Sequence, residues 1–196
     1  MLKNNFDKLK DDELVLYIYQ LGLPIYGLSG KEKYLVIVQE DWKGDLNGDE
    51  VDVEVIKIND WFERVKTGTI EAWICACLNR KFVVKEYVKL MLQTNAVQLR
   101  QDINFLSFTT KSLLEDKLEN IKQQLFDTIA YTIFARQIVE NHKIINFAEP
   151  AKYYNMLADK MSLEEFNKIY IPIFEEFKEL TQGIWIKHLK DKVYTK

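Results

Sequence analysis

Two lysines, Lys31 and Lys33, stand directly ahead of the apolar run Tyr34-Leu35-Val36-Ile37-Val38, and two carboxylates with the same spacing, Asp52 and Glu54, lie in the alternating stretch from Val51 to Lys57. Strand alternation puts Asp52 and Glu54 on one face and Val51, Val53 and Val55 on the other. Paired carboxylates are the usual means of holding Mg²⁺, which requires oxygen ligands; paired ammonium groups repel a metal ion and attract a phosphate or sulfate instead. Lys31 and Lys33 are therefore candidate anion-binding residues. Gly22, Gly27, Ser29, Gly30 and Lys31 lack the spacing of a phosphate-binding loop. Asp45, Asn47 and Asp49 alternate as in a calcium loop, but its glycine and terminal glutamate are misplaced. Cys75 and Cys77 fall in an apolar stretch and read as core thiols, and His142 and His188 are too far apart for a local zinc pattern.

A second cluster is electrostatic. From Glu40 to Glu54 seven acids (Glu40, Asp41, Asp45, Asp49, Glu50, Asp52 and Glu54) face one base, Lys43, with Trp42 among them. Mutual repulsion makes such a segment costly unless the charge is used, and tryptophan is the residue most enriched at binding hot spots. Asp41, Trp42, Asp45, Asp49 and Glu50 are thus the expected partner-binding residues, with Trp42 as the apolar anchor. Lys81, Lys85 and Lys89 form a basic stripe at four-residue spacing, which as a helix face could track phosphates or merely be solvated.

The elements that position these residues follow from periodicity. Tyr34 to Val38 reads as a strand buried on both faces and Val51 to Lys57 as a half-buried one, whereas Leu14 to Tyr19 suits a strand or a short helix capped by Asp11-Asp12. Asn47-Gly48 between the last two is a turn signal and predicts a hairpin or meander. Asn59 and Thr69 are placed to cap two helices separated by Gly68. Val84, Val88 and Met91 or Leu92 give the next segment a helical face. Leu114 through Ile133 then makes one long helix to about Glu140, and Ser162-Leu163-Glu164-Glu165 opens a final helix with a capping box. Pro172 is expected to kink or divide that helix.

The order of these pieces resembles the DNA polymerase β-like nucleotidyltransferase superfamily, in its bacterial and phage branch of predicted nucleotidyltransferases. The family reads Gly-Ser, a loop, then Asp-x-Asp opening an apolar strand; here Gly22-Leu23 stands for Gly-Ser and Lys31-Glu32-Lys33 for the metal motif. Asp52 to Phe62 resembles the third-carboxylate strand and its helix, and Gly68 to Trp73 the helix after it. The likeness spans roughly residues 14 to 180 and makes Leu14 to Tyr19 a strand. It implies an α/β (α+β) fold, a small mixed sheet with helices over residues 1–110, followed by a helical C-terminal region over residues 111–196 packed on it. It also implies a lost metal site. In active members three carboxylates hold two Mg²⁺ ions; here the resemblance leaves one of the three, as Asp52 or Glu54, and the remnant candidates are Asp52, Glu54 and Glu32.

With 47% hydrophobic and 29% charged residues in 196, a net charge of −3 and a pI near 5.6, the chain is of globular composition and is no general polyanion binder. The opening residues lack a signal-peptide core, and no apolar run reaches a membrane span, so a cytoplasmic location is expected. The functional expectation is a catalytically inactive binding or regulatory protein, phage-encoded, that captures a host protein with a basic surface such as a component of the transcription machinery, and needs no cofactor. The alternative is a divergent Mg²⁺-dependent nucleotidyltransferase acting on RNA, protein or a small acceptor. Nucleotide or RNA binding through the lysines is a weaker third reading.

Overall fold

The computed structural model describes residues 8–44 and 52–194, side chains 189–194 excepted. Four strands, β1 (Val15–Gly22), β2 (Glu32–Val38), β3 (Asp52–Lys57) and β4 (Val83–Glu86), form one mixed sheet in the order β3-β2-β1-β4. β1 runs antiparallel to both β2 and β4, whereas β2 and β3 are parallel. The hairpin or meander expected between β2 and β3 is therefore incorrect. A tight turn joins only antiparallel neighbours, and a parallel pair requires the chain to cross back to the starting end. The Asn47-Gly48 turn itself falls outside the described residues.

Helices follow: α1 (Ile58–Thr67), α2 (Ile70–Cys77), α3 (Ala96–Glu115), α4 (Lys122–Asn141), the single turn α5 (Ala151–Tyr154) and α6 (Leu163–Tyr194). Gly68 closes α1 in the left-handed conformation, its N–H reaching the carbonyls of Arg64 and Val65, and Thr69 Oγ1 caps α2 through the Ala72 N–H at 3.4 Å. The capping box at Ser162 and Glu165 forms as expected, with reciprocal bonds of 2.8 and 3.2 Å. Asn59, by contrast, lies inside α1 and does not cap it; Lys57 holds the cap position.

Two expectations fail for identifiable reasons. The segment with the lysine stripe is no helix: Arg80–Phe82 is a 3-10 turn and Val83–Glu86 pairs with β1, because β-branched valines facing an open sheet edge pair as a strand. The helix expected from Leu114 to Glu140 is two helices, broken where Lys117 and Asn120 take positive φ. Pro172 does not divide α6, which runs on through it. α3 packs against α4 and α6.

One buried cluster joins the sheet to the helices, running from Tyr17, Leu35 and Ile37 through Trp61 and Ile74 to Phe126, Phe134 and Phe177. The other sheet face carries a small core of Leu9, Val15, Ile18, Val36 and Val38, with Trp42 and Val53 against it. The alternation along β2 thus feeds both cores, as its unbroken apolar run predicted.

Candidate functional site

The parallel register sets Lys33 beside Asp52 and Leu35 beside Glu54. Each lysine meets an acid from the neighbouring strand. Lys33 Nζ donates to Glu54 Oε2 at 2.7 Å, and Lys31 Nζ lies 3.5 Å from Asp52 Oδ2. The outer pair is weak, its side chains being 70% and 50% exposed. The inner pair is part of a chain of alternating charge. Arg64 Nη1 of α1 lies 3.7 Å from Glu54 Oε1, and it also donates to Glu71 Oε2 of α2. Burial alone would lower the Lys33 pKa, but the hydrogen bond and charge of Glu54 raise it overall. Burial and then the charge of Glu54 raise the Glu71 carboxyl, against the pull of Arg64.

These groups border a cavity of about 420 Å³ between the sheet and the helices, lined by Gly22, Tyr26, Lys31, Lys33, Asp52 and, from α4 and α5, Gln123, Asp127, Tyr131 and Tyr154. Glu32 is at its rim, accepting from Tyr34 Oη at 2.8 Å. Gly22 ends β1 at φ 80° and ψ −161°, a region open almost only to glycine. A Cβ there would lie 2.7 Å from the Lys31 carbonyl oxygen, so glycine is what lets the first lysine's backbone close on the strand. A second cavity of about 510 Å³ lies between α2 and α3, with Arg64, Glu71, Asp102 and Phe105 in its walls, and shares Tyr131 with the first.

Among the described residues no group of three or more His, Cys, Asp or Glu is placed to hold a metal ion. Glu54 is engaged by two cations and Asp52 by one, so these two carboxylates do not fit the two-Mg²⁺ arrangement that the family resemblance implies. The same pairing compensates the positive charge expected to hold an anion.

The acidic segment is only partly described. Asp41 is exposed, and Asp45, Asp49 and Glu50 lie outside the described residues. Trp42 is half-buried over the small core, its Nε1 donating to Asp12 Oδ2 at 2.9 Å. Lys57 Nζ fixes the same turn by donating to the carbonyls of Gln39, Glu40 and Trp42 at 3.3, 3.0 and 2.8 Å. Trp42 thus has an internal packing role in the structure.

Asp127, Tyr26 and Tyr131 were not singled out from the sequence. A signal existed: Gln123, Asp127 and Tyr131 recur every four residues along α4, a polar-edged line on a helix whose other faces are mostly apolar. Burial pushes the Asp127 carboxyl up to about 6, against a 2.7 Å hydrogen bond from Gln123 and the charge of Lys33, which lower it. The native state then binds a proton that the unfolded chain has released between about pH 4, the ordinary aspartate value, and about pH 6. This contribution is full below that window and is lost as pH rises through it. Asp127→Asn should remove that part of the stability profile, read from urea midpoints at closely spaced pH values.

No family model matches this chain, and no curated protein does. Among solved structures it is similar to the crystal structure of spectinomycin adenyltransferase from Enterococcus faecialis with ATP and spectinomycin, at a TM-score of 0.45 and 12% identity, covering 90% of this chain and 98% of that one. At that score and identity the likeness assigns neither activity nor ligand to this chain. No helix among the described residues is long and apolar enough to cross a membrane.

Proposed function

We propose that this chain is a non-catalytic binding protein built on a nucleotidyltransferase-type scaffold, encoded by a phage and acting by capture of a host protein with a basic surface. The carrying observation is the 2.7 Å pair of Lys33 with Glu54, extended through Arg64 to Glu71. A metal ion at this position would have to displace two cations from Glu54 and would meet a third at Asp52, whereas the ion pairs satisfy each other without it. The acidic stretch from Glu40 to Glu54 supports a partner of opposite charge, because complementary fields steer association and select partners. The test is incubation with radiolabelled ATP, CTP, GTP or UTP, Mg²⁺ or Mn²⁺, and RNA, protein or small acceptors. No transfer above background is expected. Metal-dependent labelling that Asp52→Asn abolishes would establish the divergent enzyme instead.

A further inference from the structure

We propose that the cavity of about 420 Å³ is a binding site for a primary alkylammonium group, held by Asp127, Tyr26 and Tyr131. The inference rests on reading this cleft as a non-catalytic binding site, and it names the chemistry of the ligand.

Donors and acceptors in the wall are unequally committed. Lys31 is directed to Asp52, Lys33 to Glu54, and Gln123 Nε2 to Asp127 Oδ1. Among the described residues, Asp127 Oδ2 and the hydroxyls of Tyr26 and Tyr131 have no hydrogen-bond partner. Tyr26 is 3% exposed, and what remains accessible includes its hydroxyl, which opens on the cavity. The three groups line the same cavity, and after burial the charge of Asp127 raises the Tyr26 phenol, while Tyr26 and Asp127 raise Tyr131. Both phenols are therefore neutral, and each can accept a hydrogen bond beside the carboxylate.

A primary ammonium presents three donors and no acceptor, matching one carboxylate oxygen and two phenol oxygens. An anion finds only lysines already neutralised by Asp52 and Glu54, and it would face Asp127. Preorganisation favours the site. Tyr26 is stacked 5.8 Å from Phe134 and meets Phe126 edge-on at 4.9 Å, so its hydroxyl is held in place before the ligand arrives. The volume lies within the range of small-ligand pockets. The ammonium could belong to a free polyamine or to a lysine side chain of a partner protein.

Calorimetric titration of the whole chain with n-butylammonium and with n-butanol, its uncharged analogue, tests the assignment. Saturable binding of butylammonium is expected, at least roughly tenfold tighter than butanol, the factor expected from about 1.4 kcal/mol of charge-assisted bonding. Asp127→Asn should erase the difference, and Tyr26→Phe should reduce it severalfold. Should Asp127→Asn fail to fold, wild-type binding measured from pH 7.5 downward replaces it: affinity for butylammonium should fall as Asp127 protonates near its value of about 6. Spermidine binding more tightly than Nα-acetyl-lysine methylamide assigns the site to free polyamines, and the reverse order to a protein side chain; either result supports an ammonium site. Equal binding of butylammonium and butanol, or unaltered discrimination in Asp127→Asn, overturns it. Nucleotide transfer by the protein would overturn only the preceding reading, since none of these affinities depends on it.

Discussion

Gly22→Ala is expected to destabilise the protein by about 3 kcal/mol, the upper end of the cost of forcing a side chain into a backbone region reserved for glycine. Two effects combine at that position. The residue sits at φ 80° and ψ −161°, and the added Cβ would be 2.7 Å from the Lys31 carbonyl oxygen and 3.1 Å from the Lys33 nitrogen. The obstacle is backbone, so no side-chain rotation relieves it. Gly27→Ala is the control, because Gly27 also has positive φ, at 77°, but nothing within 4 Å of its Cβ position. It should cost about 1 kcal/mol, the ordinary penalty of a left-handed non-glycine residue. Urea unfolding of both variants checks the difference. Similar losses would mean that the close approach of β1 to Lys31 contributes nothing.

Phe126→Ala should be worse, by about 3–5 kcal/mol, with a fall in Tm on the order of 10 °C for a chain of this size. Phe126 is 0% exposed and makes edge-on contacts with Tyr26 at 4.9 Å and Tyr154 at 5.1 Å. Its removal leaves a hole beneath two walls of the cavity. Differential scanning calorimetry reads the stability loss. If Phe126→Ala melts within 3 °C of wild type, roughly the effect of 1 kcal/mol, the aromatic stack is not what fixes the cavity wall.

How far the sequence reveals these features depends on the range of the interaction behind each. The strand around Leu35, the Gly68 and Thr69 caps and the Ser162–Glu165 box are all found where expected, because each depends on neighbours within a few residues. Lys31, Lys33, Asp52 and Glu54 were likewise visible as pairs. Their mutual neutralisation was not, because it depends on a parallel register between segments far apart in sequence. The same limit explains the missed split at Lys117 and Asn120: the apolar period of Leu114 to Ile133 continues across a reversal of the chain, which polar residues at the tip alone could have marked. Asp127 was hidden for a different reason. An acid on a helix is ordinarily solvated, and only the packing of Tyr26 and Tyr131 beside it makes this one a cavity wall.

The line of charge from Lys33 through Glu54 and Arg64 to Glu71 also constrains which sequences lie one mutational step away. Changing Lys33 alone to an acid places like charge beside Glu54 and leaves Arg64 to balance every carboxylate near it. Changing Glu54 alone to a neutral residue removes the hydrogen bond of Lys33, whose charge burial already opposes, and leaves it only the weaker pull of Glu71 and Asp52. Either first step crosses unfavourable ground, and among charge-altering substitutions only paired ones leave the sum unaltered, which is the signature of strong non-additivity between contacting residues. Charge-altering changes at positions 33 and 54 should therefore occur together or not at all, so this line of charge can be remade only by coupled steps.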